Sequence, residues 1–170
     1  SKHGMRNKCI LELLYSCGLR VSELTELKCA DLFFDKSLIR VKGKGDKVRW
    51  APIADMTIKI IREYKNLKRH NHAAKGFEDV LFLNNRGKSI TRVMVYIIVK
   101  KAAVLANINK NISPHTLRHS YATHLVENGA DIQLVQHMMG HASITTTERY
   151  IHMSQSHLKD VITKFHPRSS

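Results

Sequence analysis

The sequence predicts a mainly α-helical domain with a small three-stranded antiparallel sheet, which is an α+β fold. Apolar residues recur at helical spacing along most of the 170-residue chain. Three short β-prone runs follow one another between residues 32 and 51, with turn-forming residues between them. A composition of 43% hydrophobic residues with 8 Gly and 3 Pro is typical of one globular domain that buries a core.

The first two helices are predicted on either side of Gly18. Apolar residues recur at helical spacing from Asn7 to Cys17, and Gly18 is a natural helix stop. Ser22 has the chemistry of an N-cap for a short second helix with acidic residues in its first turns. Arg20 is therefore expected in the bend between two helices.

The predicted sheet comes next along the chain. Its three strands are Leu32–Phe34, Leu38–Val41 and Val48–Ala51. The segment Gly43-Lys44-Gly45-Asp46 joins the last two strands as a turn, and Pro52 closes the third strand. Asp55 is then predicted to cap a helix that runs to about Arg69.

The remaining helices each carry a start or stop signal. Thr91 predicts the cap of a helix that continues to about Ala106. Ser113 followed by Pro114 predicts an N-cap and a first helical position, and Gly129 ends the same helix. The later segments are a short helix from Asp131 to Met139, a helix that starts at the Thr145 and Glu148 capping box and carries Tyr150, and an amphipathic segment from His157 to Phe165.

The chain is strongly basic, with 28 Lys and Arg against 14 Asp and Glu and a formal net charge of +14. On a folded domain this surplus indicates a polyanionic partner, because phosphates attract it and speed association. A soluble basic protein without such a partner is the alternative. The apolar runs are shorter than the roughly 20 residues of a transmembrane helix, so neither a membrane span nor a signal peptide is expected.

The three cysteines, Cys9, Cys17 and Cys29, are odd in number and lack CxxC spacing. This pattern argues against a disulfide framework and against a zinc knuckle. The expected location is therefore the reducing cytoplasm.

One predicted helix brings a histidine and an arginine together near its start. His115 and Arg118 are three residues apart, so they are neighbours on one helix face. The amide groups at a helix N-terminus favour an anion, and a phosphate fits them. The alternative is an ordinary solvated helix face.

A metal site is the competing interpretation of this region, which is rich in histidine. The histidines are His115, His119, His124, His137 and His141. Their spacing does not favour a metal, because no glutamate follows His115 as in the zinc protease motif and Arg118 would repel a cation. No metal ligand is assigned.

Lys44 lies between two glycines at the tip of the predicted hairpin, where a mobile lysine could donate a proton to a neighbouring site. The alternative is a basic β-turn without a chemical role. The phosphate-binding pattern Gly-x-x-x-x-Gly-Lys-Ser/Thr is absent from the sequence, which gives nucleotide hydrolysis little support. A tyrosine in the position of Tyr150 is, on its own, more often a packing residue than a nucleophile.

Six residues together form a set suited to phosphoryl transfer. Cationic donors stabilise a pentacoordinate phosphorane, and a phenol can attack phosphorus. The set comprises Arg20, Lys44, His115, Arg118, His141 and Tyr150.

The segments that contain this set resemble, in order and spacing, the boxes of the tyrosine recombinase (phage integrase) family across almost the whole chain. They are Gly18-Leu19-Arg20-Val21-Ser22-Glu23-Leu24, Gly43-Lys44-Gly45, His115-Thr116-Leu117-Arg118-His119, Met139-Gly140-His141 and Thr145-Thr146-Thr147-Glu148-Arg149-Tyr150. Met139 stands where the family box has leucine. Within the family the likeness is greatest to the Xer recombinases, whose chains end in a run similar to Ser156-His157-Leu158 and His166-Pro167-Arg168.

The resemblance implies that Tyr150 attacks a DNA phosphodiester to give a 3′-phosphotyrosine and a free 5′-hydroxyl. Arg20 and Arg118 would clamp the non-bridging oxygens in a bidentate manner that lysine does not reproduce. His141 would hydrogen-bond the same phosphate.

The resemblance also implies the proton-transfer groups. His115 would assist proton transfer at the tyrosine, Lys44 would protonate the leaving 5′ oxygen, and Glu23 would orient the arginine and histidine side chains. Because the phosphotyrosine conserves the bond energy, neither ATP nor a metal cofactor is required.

Beyond the site, the resemblance implies that residues 1–170 are a catalytic domain from which an N-terminal helical clamp domain is absent. The implied partners are a double-stranded DNA recombination site, an activator protein, and further recombinase protomers in a homo- or hetero-tetramer. The C-terminal helix, residues 157–165, would dock onto a neighbouring protomer, with packing inside its own chain as the alternative.

The implied function is site-specific recombination, in chromosome-dimer resolution or in DNA integration and excision. A type IB topoisomerase that nicks and relaxes DNA is one alternative, and a non-catalytic DNA-binding module is another. The cations expected to contact the DNA backbone around the site are Lys42, Lys47, Arg49, Arg86, Lys88 and Arg92.

Overall fold

The computed structural model describes residues 2–67, 72–140 and 155–167. The helices in these ranges are α1 (Lys2–Ser16), α2 (Val21–Thr25), α3 (Asp55–Asn66), α4 (Arg92–Leu105), α5 (Pro114–Glu127), α6 (Ile132–Met138) and α7 (Gln155–Phe165). The strands β1 (Leu32–Phe33), β2 (Leu38–Lys42) and β3 (Val48–Pro52) form an antiparallel sheet in the order β1-β2-β3. The predicted fold class, mainly helical with a three-stranded antiparallel sheet, is confirmed.

Two predicted helix caps, Thr91 and Ser113, are confirmed at the level of hydrogen bonds, and Asp131, predicted as the first residue of its helix, is a further cap. The Thr91 hydroxyl accepts from the amide of Met94 at 3.1 Å, and the Ser113 hydroxyl accepts from that of Thr116 at 3.2 Å. The Asp131 carboxylate accepts from the Gln133 amide at 2.8 Å. Each cap satisfies an amide that has no partner within its own helix, so short-range sequence chemistry determines where α4, α5 and α6 begin.

Two other predicted caps are wrong. Helix α2 begins at Val21 with Arg20 as its N-cap, because the Glu23 carboxylate accepts the backbone N–H of Arg20 at 2.8 Å, so Ser22 is not needed as a cap. Asp55 is the first residue of α3 rather than its cap, and its carboxylate points into solvent 3.9 Å from Lys159 Nζ. A carboxylate in the first turn still complements the helix dipole from that position.

Two helix bounds also differ from the prediction. Helix α1 begins at Lys2, five residues before the predicted start at Asn7. Helix α3 ends at Asn66 rather than near Arg69, because Leu67 leaves helical geometry with φ −83° and ψ 88°.

The sheet separates two hydrophobic clusters. Ile39 and Val41 of β2 face the first cluster, which α1 to α4 complete. Phe33 and Trp50, whose ring centroids lie 5.2 Å apart, pack against the second cluster, which α5, α6 and α7 build. The register pairs Val41 with Arg49, so Arg49 lies on the same face of the sheet as a fully buried residue.

Helix α7 packs against its own chain. Leu158, Val161 and Ile162 are buried, and Asn128 Nδ2 at the end of α5 donates to the carbonyl of Phe165 at 2.8 Å. The docking of residues 157–165 onto a neighbouring protomer stays a prediction.

The cysteines do not form disulfides, and burial raises the pKa of the Cys9 and Cys17 thiols above its usual range. None of the helices in the described ranges combines the length and apolar character needed to cross a membrane. The predicted capping box at Thr145 and Glu148 and the helix that carries Tyr150 lie outside the described residues.

Candidate phosphate site

Four side chains from separate parts of the sequence meet where the α1–α2 turn, β3, α5 and the end of α6 come together. They are Arg20, Glu23, Arg49 and Arg118, and we call them the arginine cluster. Two of the four, Arg20 and Arg118, belong to the predicted catalytic set, and Glu23 was predicted to orient it. Arg49 was predicted to contact the DNA backbone.

Arg118 is the most deeply placed cation of the cluster, at 5% exposure. Its Nη1 donates to the carbonyl of Gly18, and its Nη2 donates to that of Met139 at 2.8 Å. A guanidinium is planar and carries N–H donors on all three nitrogens, so these two contacts fix its plane. The α1–α2 turn and the end of α6 thereby hold the Arg118 side chain of α5 in one orientation.

Glu23 is the only carboxylate of the cluster, and it is 4% exposed. Its Oε1 accepts from the backbone N–H of Arg20 at 2.8 Å and from Arg49 Nη2 at 3.0 Å. Its Oε2 lies 3.6 Å from Arg20 Nη1. The predicted orienting role of Glu23 fits this placement, since Glu23 contacts both the main chain and the side chain of Arg20.

Arg20 differs from the other two arginines because its side chain is 40% exposed. Arg20 therefore offers a guanidinium at the surface of the cluster, while Arg118 is buried. A ligand that contacts both residues would be bound by one exposed and one buried guanidinium.

The charges of the cluster do not balance, because three guanidiniums face one carboxylate. Burial first, and then the positive charges of Arg20 and Arg49, lower the pKa of Arg118 to about 10. Arg118 stays charged at neutral pH, at an electrostatic cost that a nearby anion would reduce. A cluster of this charge is chemically suited to an anion such as a phosphate.

Lys44 occupies the predicted hairpin tip and is exposed. Gly45 beside it has φ +71°, a backbone conformation that glycine adopts without strain. The base of the hairpin touches the cluster, since a Cβ on Gly43 would lie 3.9 Å from Glu23 Oε2. The structure thus brings the Lys44 hairpin beside the cluster, with the lysine itself in solvent.

The predicted histidines and the tyrosine are placed unequally. His115 is exposed on α5, three residues before Arg118. His141 and Tyr150 lie outside the described residues. Gly140, which directly precedes His141 in sequence, lies against the cluster, and a Cβ there would be 3.5 Å from Arg20 Nη1.

The cations predicted to contact the DNA backbone divide into two groups. The exposed ones are Lys42, Lys47, Arg86, Lys88 and Arg92. Arg49 is different, because its side chain is 16% exposed and is bonded within the cluster. Sequence analysis missed this partnership. Side chains alternate between the two faces of a strand, and Arg49 lies opposite Val41, so it shares the inward face of the sheet.

The carbonyl acceptors of the site are a second feature that sequence analysis missed. Gly18, Met138 and Met139 contribute main-chain oxygens to Arg49 or Arg118. No side-chain pattern identifies such acceptors, since every residue has a carbonyl.

A metal site finds no support in the described ranges, where no three His, Cys, Asp or Glu side chains are grouped to hold an ion. His124 instead shares a hydrogen bond of 2.8 Å between its Nδ1 and the Tyr15 hydroxyl. His115 and His119 are exposed.

The sequence matches the model of the phage integrase family over residues 1–157. It is 44% identical over 167 residues to tyrosine recombinase XerD of Staphylococcus aureus (strain N315), and 42% identical to XerD of Staphylococcus saprophyticus. These alignments cover 98% of this chain and 57% of each relative. The chain therefore spans little more than half the length of these curated relatives.

Solved structures show the same fold. The XerA recombinase crystal structure superposes with a TM-score of 0.76 at 32% identity, over 98% of this chain and 60% of that one. The pre-cleavage complex of XerH site-specific recombinase with its difH substrate gives a TM-score of 0.75 at 31% identity, over 90% of this chain and 44% of that one.

Proposed function

This chain belongs to the phage integrase family, and on that premise we propose that it cleaves and rejoins DNA at specific sites through a 3′-phosphotyrosine at Tyr150. The observation that carries the proposal is the arginine cluster. Its buried Arg118 and exposed Arg20 are oriented by protein acceptors before any ligand arrives. Donors fixed in advance stabilise the charge that develops on a phosphorane, at little cost of reorganisation.

In the proposed cleavage step, the Tyr150 oxygen forms a bond to phosphorus and the bond from phosphorus to the 5′ oxygen breaks. His115 takes the tyrosine proton, and Lys44 gives a proton to the departing 5′ oxygen. Arg20, Arg118 and His141 stabilise the non-bridging oxygens. Rejoining is the reverse step, in which a 5′-hydroxyl attacks the phosphotyrosine and releases the tyrosine.

The position of the Lys44 hairpin supports its proposed role. An exposed lysine next to a glycine in the left-handed region can move toward a bound phosphate without displacing the strands. The Gly43 end of the hairpin lies beside Glu23, which places the hairpin next to the cluster. The proposed roles of His115 and Lys44 are compatible with their exposed positions.

We infer that duplex DNA is the substrate and that the protein works as a homo- or hetero-tetramer on it. The DNA substrate is supported by relatives, since solved XerH structures hold a difH substrate in pre-cleavage and post-cleavage complexes. The apolar side of α7, with Leu158, Val161 and Ile162, is the surface we assign to exchange between protomers. In that exchange the contact of α7 with its own chain would be replaced by the same contact with a neighbour. An activator protein would act on the assembled tetramer.

Recombination is favoured over the two other functions. The relatives and structures described above are named recombinases, which favours site-specific joining over the relaxation carried out by a type IB topoisomerase. A module that only binds DNA would not need Tyr150 at the end of the set. Chromosome-dimer resolution and DNA integration or excision are the two tasks that this chemistry serves.

The experiment that tests the proposed function is covalent capture. The chain selects a binding site from a randomised duplex pool, and that site is then nicked so that the cleaved strand end diffuses away. We expect a protein–DNA adduct that survives denaturation. Mass spectrometry should show that the 3′-phosphate is linked to the peptide that contains Tyr150. Tyr150→Phe is the negative control and should form no adduct. The proposed function fails if the wild-type chain forms no adduct, or if the DNA is linked to another residue.

Duplex binding is expected to weaken steeply as salt rises. If the five exposed cations of the predicted set each meet a phosphate, the slope of log affinity against log salt is about −4 to −5. The slope is measured by fluorescence anisotropy with unnicked duplex. Lys42→Gln should make it less steep by about one unit, whereas Lys59→Gln on the exposed side of α3 should not change it. An affinity that is independent of salt would show that the net charge serves another purpose.

A further inference from the structure

Arg49 reaches the arginine cluster from the sheet. It lies opposite the buried Val41 in the register of β2 and β3. Its Nη2 donates to Glu23 Oε1 at 3.0 Å, and its Nη1 donates to the carbonyl of Met138 at 2.7 Å. With 16% exposure, the guanidinium has both terminal nitrogens committed to protein acceptors and little surface left for DNA.

Through Glu23, Arg49 influences Arg20. The Oε1 atom that Arg49 contacts also accepts the backbone N–H of Arg20 at 2.8 Å, and the other carboxylate oxygen lies 3.6 Å from Arg20 Nη1. Arg49 therefore neutralises part of the carboxylate charge and holds it in one orientation. Without Arg49, Glu23 would pair more strongly with Arg20 and would compete with a DNA phosphate for that guanidinium.

Through Met138, Arg49 holds the end of α6. The carbonyl of the next residue, Met139, accepts from Arg118 Nη2 at 2.8 Å, so two arginines from separate elements bind consecutive carbonyls. Gly140 follows, and a Cβ there would lie 3.1 Å from Cδ and 3.2 Å from Nε of Arg49. The lack of a side chain at Gly140 thus makes room for Arg49. His141 is the next residue in the sequence.

We propose that Arg49 is a positioning residue for DNA cleavage, which sets Glu23 and the end of α6 so that Arg20 and Arg118 meet the same phosphate. This replaces the role that sequence analysis gave it, a contact with the DNA backbone. The proposal rests on the proposed function, since the positions of the two arginines matter for cleavage only if Tyr150 attacks that phosphate.

The decisive variant is Arg49→Gln, measured with protein in excess over the nicked duplex. We expect the rate of adduct formation to fall on the order of 10²-fold, which is the effect of displacing catalytic groups by about 1 Å. The salt slope for unnicked duplex should remain that of the wild type. A slope less steep by about one unit would identify Arg49 as a backbone contact and overturn the proposal, as would an unchanged rate.

Arg40→Gln is the matched control. Arg40 lies on the neighbouring strand β2 and pairs with the buried Asp31, its Nε and Nη2 each 3.0 Å from Oδ1, outside the arginine cluster. This variant also removes an arginine–carboxylate pair from the sheet, so it reports on general weakening of the fold. Its adduct rate should stay at the wild-type value. A loss as large as that of Arg49→Gln would overturn the positioning role.

A double variant, Glu23→Gln with Arg49→Gln, tests whether Arg49 acts through Glu23. Removing both charges leaves no unpaired buried carboxylate, so this variant also covers the case in which Arg49→Gln alone does not fold. If the two residues act as one unit, its rate should lie within about twofold of that of Glu23→Gln alone. Losses that multiply would show that Arg49 does not act through Glu23 and would overturn that part of the proposal.

The wild-type adduct at Tyr150 is established first, which separates the two possible failures. If no wild-type adduct forms, the proposed function fails and this proposal fails with it. If the wild-type adduct forms and Arg49→Gln forms it equally fast, the positioning role alone is overturned.

Discussion

Replacing Arg118 by lysine is expected to slow adduct formation by about 10²- to 10³-fold while leaving DNA affinity almost unchanged. Arg118 binds two carbonyls, of Gly18 and Met139, that belong to different elements. A lysine carries its charge at one atom and does not reproduce the planar fork that meets both carbonyls and a phosphate. Burial and the neighbouring arginines, which lower the pKa of Arg118, would act on a lysine ammonium in the same direction.

The measurement is single-turnover adduct formation on the nicked duplex, with affinity measured separately on unnicked DNA. Arg62→Lys is the matched control, because Arg62 is exposed on α3 with its guanidinium over the ring of Phe34. It should cleave at the wild-type rate. Near-normal cleavage by Arg118→Lys would refute the bidentate role of Arg118.

Gly18→Ala is expected to destabilise the fold by about 3 kcal/mol, from backbone strain and from overpacking together. Gly18 has φ +63°, and a Cβ there would overlap the ring of Tyr121, with Cε1 only 2.7 Å away. Tyr121 is 1% exposed, so its ring has no free space to move into. For a domain of this size the loss corresponds to a fall in Tm of about 6–12 °C.

Gly76→Ala separates the two causes of that loss. Gly76 has φ +89°, but no atom lies within 4 Å of the position that a Cβ would take, so alanine there meets strain without overlap. We expect it to cost about 1 kcal/mol. Thermal unfolding of both variants gives the comparison, and equal Tm values would mean that the Tyr121 ring does not restrict position 18. Because the Gly18 carbonyl accepts from Arg118, Gly18→Ala should also cleave more slowly than Gly76→Ala.

The elements that sequence analysis predicted well are those with local chemistry at their ends. Helix α5 is the clearest case, since Ser113 caps it through a bond to an amide three residues away and Pro114 occupies its first position. The start of α2 could not be predicted in this way. Its cap depends on Glu23, whose orientation is set by Arg49 from a strand that lies 26 residues further along the chain.

The candidate site shows the same division between local and distant causes. Arg20 and Arg118 could be identified because their residue types and spacing resemble a family pattern. Their geometry could not, because Arg118 is oriented by Gly18, 100 residues away, and by Met139. The prediction for Arg49 relied on its charge alone, whereas its burial and its two acceptors follow from strand register and helix packing.

The acceptors that hold Arg49 and Arg118 at the end of α6 are main-chain carbonyls, and this has a consequence for how the sequence can diverge. A substitution replaces a side chain and leaves the carbonyl, so exchanges of Met138 or Met139 for apolar residues of similar volume should preserve both contacts. Methionine at position 139, in place of the leucine of the family pattern, is such an exchange. Such exchanges at these supporting positions are therefore expected to leave the proposed chemistry unchanged, while Arg49 and Arg118 have no equivalent freedom.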